Sequence, residues 1–420
     1  MKRLWLFCFP LLFIPNAGFS HRTDFGVLEV CDWLIVPFIV LLFIAPSAKY
    51  EQRIAKLNPL LWAFLVWALF STLSIHFRYD YLDDIPILIV SCLKLARLVL
   101  FVVAGVLIAK KIGDPKARGE WTWSLLAALV ILGVGLLASR GDPDALPTDA
   151  TDALEGYKSY NAIVVSVAIL CAYVAGLWID NVGSRRWRRC ASITIAFAIC
   201  SVFVSSSLLN HGRGGWLAFA AGFGYILWER TQTLKATVII FIVCLASITA
   251  YATLPNFRSV VDLTLSPSDD APLQSVDDGS RVSTWVHEGP KLINAPLLGT
   301  GFYHRGGASG LWETGSHNFF LQMFLETGIV GGGLMISIFV LIWRQSGLTA
   351  MARNKISVST RAALITAIVG GMSGEYYYGG VGVLIVFAAF AMAGALPAAE
   401  VLFMTDKAHS RIVRWRRVAS

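Results

Sequence analysis

The stretch 316-SHNFFLQMFLETGIVGGG-333 sets a histidine between polar Gly315-Ser316 and a long apolar run. An imidazole in the first turn of such a helix meets the positive end of the helix dipole, which disfavours imidazolium and leaves a ring able to accept a proton near neutral pH. His317 is therefore the best-placed candidate for a general base. Upstream, 210-NHGRGGWLAF-219 puts Arg213 among glycines where another apolar run begins. Backbone amides at a glycine-rich helix start, joined by a guanidinium, make an anion site; the same pattern also fits an interfacial arginine lying against lipid headgroups. Between the two, 279-GSRVSTWVHEGPKLINAPLLGTGFYHRGG-307 spaces Arg281, Trp285 and Glu288 at i, i+4 and i+7, one face of a short amphipathic helix. The Ala-Pro-Leu-Leu-Gly-Thr-Gly that follows reads as a turn leaving that helix. A neutral base and two guanidiniums suit one kind of reaction: a hydroxyl loses its proton while an anionic group departs with its charge held.

Other polar residues can be weighed beside these. His211, His287, His304, Arg305 and Glu375 fall on the same side of the apolar runs as the main candidates, and solvated loop residues would look the same. Of these, His211, Arg305 and Glu375 are kept as members of a candidate cavity, although Glu375 is followed by Tyr376, Tyr377 and Tyr378, which also fit an interfacial aromatic belt. Lys94 and Arg97 are three apart inside an apolar run. A cation there costs at least about 2.5–3.5 kcal/mol on insertion scales and needs water, a carboxylate or a lipid phosphate. Gly328 lies eleven residues beyond His317. At 100° per residue that returns to within about 20° of the same face, three turns deeper, where a glycine lets a neighbouring helix approach closely. Glu326 points the opposite way and reads as a structural partner. The seven cysteines show no metal or redox spacing and read as packing residues. The acidic residues between 262 and 278 are scattered in a Pro/Ser loop and read as solvated, so neither a metal nor a cofactor is expected.

The elements that must hold these residues are membrane helices. Hydrophobic residues make up 56% of the 420-residue chain and charged residues only 15%. Apolar runs of about twenty residues, the length that crosses a hydrocarbon core, recur throughout. Spans are predicted at 4–19, 27–46, 58–75, 85–109, 121–138, 161–180, 190–209, 215–228, 236–253, 318–343, 361–376 and 380–398. The fold is thus expected to be an all-α polytopic membrane protein of about twelve transmembrane helices. Lys and Arg gather in alternate loops, at Lys2-Arg3, Lys49/Arg53/Lys56, Lys110/Lys111/Lys116/Arg118, 185-RRWRR-189, Arg230/Lys235, Arg344/Arg353/Lys355 and the tail, while Asp and Glu gather in the others. By the positive-inside rule both termini are cytoplasmic, and the net charge of +8 reflects topology rather than nucleic-acid binding. The first segment also fits a signal peptide with a small-residue site near Asn16-Ala17-Gly18. The chain reads as one integral membrane domain, 1–420, with an acidic non-cytoplasmic loop at 139–160 and a large one at 254–316 containing short helices. No nucleotide-binding fingerprint appears, which argues against ATP hydrolysis.

Taken together, the Gly-flanked Arg213, Arg281 before Pro-Leu-Leu-Gly-Thr-Gly, and the run His-Asn-x-x-Leu-Gln-x-x-x-Glu-x-Gly from His317 to Gly328 resemble the O-antigen ligase and polymerase superfamily. The resemblance covers about 160 to 400, and the N-terminal spans only in hydropathy. It implies a glycosyltransferase-C-like, metal-independent, inverting enzyme of the bacterial inner membrane with a periplasmic site. Such an enzyme takes a glycan from undecaprenyl diphosphate and passes it to an acceptor hydroxyl. His317 would be the base, with Arg213 and Arg281 on the diphosphate. The spacing from His317 to Gly328 and the single large loop point to the ligase branch, whose acceptor is lipid A-core. A polymerase extending lipid-linked repeat units, for O-antigen or exopolysaccharide, shares the pattern. A flippase of lipid-linked sugars would also show many spans and a basic cavity, but transporters place their ionisable groups at mid-membrane and often repeat between halves. No repeat is visible here.

Overall fold

The computed structural model describes residues 4–13, 21–23, 26–28, 30–45, 57–78, 85–111, 115–138, 160–181, 213–230, 289–302, 318–348 and 355–372. Helix α1 (Leu4–Cys8) tightens into a 3-10 segment, Phe9–Phe13. Strands β1 (His21–Thr23) and β2 (Gly26–Leu28) form a short antiparallel hairpin with His21 opposite Leu28. The helices α2 (Val30–Ile44), α3 (Leu57–Arg78), α4 (Ile85–Lys111), α5 (Pro115–Ala138), α6 (Tyr160–Asn181) and α7 (Arg213–Arg230) follow. A 3-10 segment, Gly289–Asn294, precedes α8 (Phe319–Leu348) and α9 (Lys355–Gly371).

From α3 onward these helices lie where the apolar runs predicted them. The spans expected at 190–209, 236–253 and 380–398, residues 139–159 of the acidic loop and most of the loop 254–316 lie outside the described residues. Two stretches, Ser91–Ile108 and Phe319–Arg344, are long and apolar enough to cross a membrane, and the remaining apolar helices are shorter. The described residues therefore do not bring the count to twelve. Their regular elements are helical except for the hairpin, which departs from the all-α expectation and takes the first residues of the span expected at 27–46. Large apolar side chains stand on outward faces, among them Phe7 at 77% exposure and Phe43 at 67%. A surface of this kind suits lipid rather than water.

The expected span 4–19 is also altered, because the α-helical part stops at Cys8. Pro10 has no N–H to return to the Leu6 carbonyl, so the α pattern ends there and the tighter 3-10 segment takes over. The Leu6 carbonyl accepts instead from Ser124 Oγ of α5 at 2.6 Å. Trp121 of α5 packs against Phe9, with centroids 4.5 Å apart, and against Trp5 at 5.8 Å, so this first segment is part of the buried core.

The tightest packing joins α6, α7 and α9. A Cβ on Gly176 would strike Ser359, one on Gly370 would strike Val165, and one on Gly222 would strike Thr366 Oγ1 and lie 2.9 Å from the Ala362 carbonyl. These pairings run α9 antiparallel to both α6 and α7, the relative direction that alternate crossing assigns to the three segments. Without a hydrophobic driving force between helices in lipid, such small-residue contacts carry the association. Gly222→Ala is expected to destabilise the protein by about 1–3 kcal/mol through overpacking. Gly224→Ala, where the added Cβ meets nothing within 4 Å, should be neutral or gain up to about 1 kcal/mol in helix propensity. Thermal unfolding of both variants in the same detergent measures the difference; equal midpoints would show that close approach at Gly222 is not required.

Candidate functional site

Asn318 opens α8. Its Oδ1 accepts from the Phe320 and Leu321 N–H groups at 3.0 and 3.1 Å, the pattern of an N-cap side chain. His317, which precedes this cap in the sequence, lies outside the described residues.

Gly328 breaks α8, with φ 67° and ψ −173°. In an unbroken helix the carbonyls of Leu325, Glu326 and Thr327 would pair with the N–H groups four residues on. At the break they are served from elsewhere. Leu325 O accepts from Thr300 N and Glu326 O from Gly301 N, both at 2.8 Å, and Ile329 N donates to Pro296 O at 2.8 Å. Thr300 Oγ1 adds a bond to Leu325 O at 3.2 Å. The turn 295–301 is thus spliced into the helix, and the carbonyls of the buried residues Leu325 and Glu326 find their partners there. A Cβ on Gly328 would strike the Leu297 carbonyl, and one on Gly299 (φ 70°) would strike the carbonyl of Glu326. Both glycines are therefore required by backbone conformation as well as by space.

Two expectations change here. The group that approaches Gly328 is the turn at 297–298, not a helix, and the non-helical φ/ψ of Gly328 breaks the helical register on which the face shared with His317 rests. Ala-Pro-Leu-Leu-Gly-Thr-Gly is a turn, as expected, and leaves the 3-10 segment Gly289–Asn294. Glu326 is fully buried and accepts from Gln322 Nε2 at 2.7 Å, a structural partner as its position suggested.

Helix α3 completes the arrangement with residues that the sequence reading passed over. Trp67 Nε1 donates to Thr327 O at 2.8 Å. Ser71 Oγ lies within hydrogen-bond reach of Leu298 O and, at 3.0 Å, of Glu326 O, so its single proton is shared between turn and helix. Thr72 Oγ1 donates to Ala68 O at 2.8 Å and accepts from Phe302 N at 3.0 Å, which uses both its capacities. A signal existed: Trp67, Ser71 and Ser74 recur at i, i+4 and i+7 within an apolar run, a polar stripe on one face.

The remaining candidates are placed as follows. Arg213 is the first residue of α7, at a helix start as expected. Lys94 and Arg97 are half-buried in the middle of α4, and the Arg97 guanidinium lies over the Phe101 ring at 5.7 Å from its centroid. Nothing described brings this pair to the α8 break. His211, Arg281, Arg305, His317 and Glu375 lie outside the described residues, but the anchored turn 295–302 fixes the middle of the segment that runs from Arg281 to His317.

Residues 196–336 match the family model described as O-antigen ligase, about a third of the chain. No curated protein sequence matches the chain. The matched part contains Arg213, Arg281, the spliced turn, His317 and Gly328, whereas α3 lies outside it. The match supports glycosyl transfer of the O-antigen ligase or polymerase type by a membrane enzyme, with a lipid-linked glycan and a glycan or lipid acceptor as its substrates. Residues 196–336, about a third of the chain, are thus similar to the O-antigen ligase family.

Proposed function

We propose that the protein transfers a glycan from undecaprenyl diphosphate to a hydroxyl of lipid A-core at the periplasmic face of the bacterial inner membrane. The observation that carries this reading is the pairing of a capped helix start, with His317 just outside it, and a turn locked into that helix on the chain segment that includes Arg281. In the reaction His317 takes the acceptor proton as the acceptor oxygen attacks the anomeric carbon. The bond from that carbon to the diphosphate oxygen breaks on the opposite face, so configuration inverts. Undecaprenyl diphosphate departs as an anion, with Arg213 and Arg281 holding its charge in place of a metal ion. His211, Arg305 and Glu375 would line the cavity around them, and Lys94 and Arg97 would serve a lipid phosphate lower in the bundle.

The test uses purified protein in nanodiscs with the lipid-linked glycan, with or without lipid A-core, in EDTA. Transfer to lipid A-core with release of undecaprenyl diphosphate is expected. A ladder of lengthening lipid-linked glycan without lipid A-core would replace the ligase assignment by a polymerase, and no covalent product would overturn both. In the same assay Arg213→Ala should lower kcat/KM by about 10²–10³-fold, the usual cost of removing one group that stabilises developing charge. Arg213→Lys should recover only part of this, since an ammonium lacks the bidentate fork. An Arg213→Ala variant with unchanged kcat/KM would remove this residue from the diphosphate site.

A further inference from the structure

We infer that Trp67, Ser71 and Thr72 of α3 are positioning residues for the transfer reaction, acting as a clasp that holds the 295–302 turn in the break of α8; this rests on the glycosyl-transfer reading above. The turn is held by backbone bonds to α8 and by two α3 side chains, Ser71 on Leu298 (and on Glu326 of α8) and Thr72 on Phe302, while Trp67 holds Thr327 of α8 beside the break. Every one of these contacts spans more than two hundred residues of sequence. Ser71 and Thr327 are fully buried and Thr72 nearly so; the bonds of Ser71 to Glu326 and of Phe302 to Thr72 are buried, and those to Leu298 and from Trp67 are part-buried.

Chain connectivity gives the clasp its consequence. The turn lies between Arg281 on one side and Arg305 and His317 on the other, and the helix that it is spliced into begins directly after His317. The clasp therefore anchors the turn from which the chain runs back to Arg281 and on to Arg305 and His317, and through it would bear on how those groups meet in the reaction. A misplacement of about 1 Å between reacting groups is enough to cost roughly 10²-fold in rate. The N-terminal part of the chain, beyond the matched domain, thereby contributes to the site without touching substrate.

The experiment compares full-length wild type with Ser71→Ala/Thr72→Val, Thr72→Val and Thr72→Ser in nanodiscs. It measures hydrogen exchange by peptide and the kcat and KM of glycan transfer. In the Ser71→Ala/Thr72→Val and Thr72→Val proteins, the amides of 296–302 should exchange at least about tenfold faster, while peptides of α6, α7 and α9 keep their protection and report that the fold is intact. Turnover should fall by about 10²-fold in the double variant, and by less in Thr72→Val, with donor KM within about threefold of wild type, the mark of an interaction needed in the transition state. Thr72→Ser keeps the hydroxyl and should restore both readings. Faster exchange at 296–302 with wild-type turnover would overturn the inference, as would unchanged exchange, or equal losses in Thr72→Val and Thr72→Ser. A wild-type protein without transfer activity would overturn the glycosyl-transfer reading and this inference with it. An active wild type with an indifferent clasp overturns the inference alone.

Discussion

His317→Ala should reduce glycan transfer by about 10²–10⁴-fold, the usual contribution of a positioned general base, with little change in thermal stability. The stability expectation follows from Asn318, which supplies the cap to the Phe320 and Leu321 amides by itself, so that shortening the preceding side chain leaves the start of α8 intact. The turnover expectation follows from the division of labour in the reaction. A diphosphate leaves as a stable anion and needs charge stabilisation rather than a proton, whereas a sugar hydroxyl is a poor nucleophile until its proton has a destination. KM for the donor should therefore hold while kcat falls, because the arginines remain. A variant retaining wild-type kcat, or losing activity only through loss of folded protein, would remove His317 from the base role.

Gly328→Ala is expected to be the most disruptive single methyl group that can be added to the described residues. A φ of 67° with ψ of −173° belongs to a region that is essentially glycine-only, costing up to about 3 kcal/mol for another residue. The new Cβ would also strike the Leu297 backbone, which cannot swing aside as a flexible side chain would. Alanine favours regular helix, so the variant's best escape is a continuous α8 whose carbonyls pair internally. That would expel the turn and strand the Thr300 and Gly301 amides and the Pro296 carbonyl. Loss of more than about 10²-fold in transfer is expected, together with rapid exchange at 296–302. Gly333→Ala is the matched control: it lies in the same helix, its added Cβ meets nothing within 4 Å, and it should be neutral or stabilising by up to about 1 kcal/mol. Similar behaviour of the two variants would show that the break does not organise the site.

The break also explains why two short motifs occur together. Gly299 and Gly328 are mutually necessary, since each makes room for the backbone that carries the other. Neither need is visible in its own stretch. Pro-Leu-Leu-Gly-Thr-Gly reads as a turn from its composition, and Glu-x-Gly followed by three glycines reads as a helix with small residues for a neighbour. Both local readings hold in part, and both miss that the two segments exchange hydrogen bonds. The same limit applied at the N-terminal end, where Pro10 announces a disturbance in the helix, but Ser124 as the group that answers the Leu6 carbonyl is a tertiary fact.

Residue type alone determined much of this protein. Apolar runs long enough to bury a helical backbone in hydrocarbon have few other folds open to them, so α3 through α9 could be located from the sequence, although α5 and α9 each begin six residues earlier than expected. Arg213, Arg281 and His317 were likewise picked out by residue type as the groups for the proposed reaction, because holding a diphosphate and accepting a proton leave few side chains to choose from. Tertiary structure decided the rest. It capped α8 with Asn318, opened that helix at Gly328, and filled the gap with the turn 295–301. It also brought in Trp67, Ser71 and Thr72 from a helix more than two hundred residues away. The physical reason is common to all of these: a backbone donor or acceptor buried in a membrane bundle must find a partner, and which group supplies it depends on what the fold places within about 3 Å.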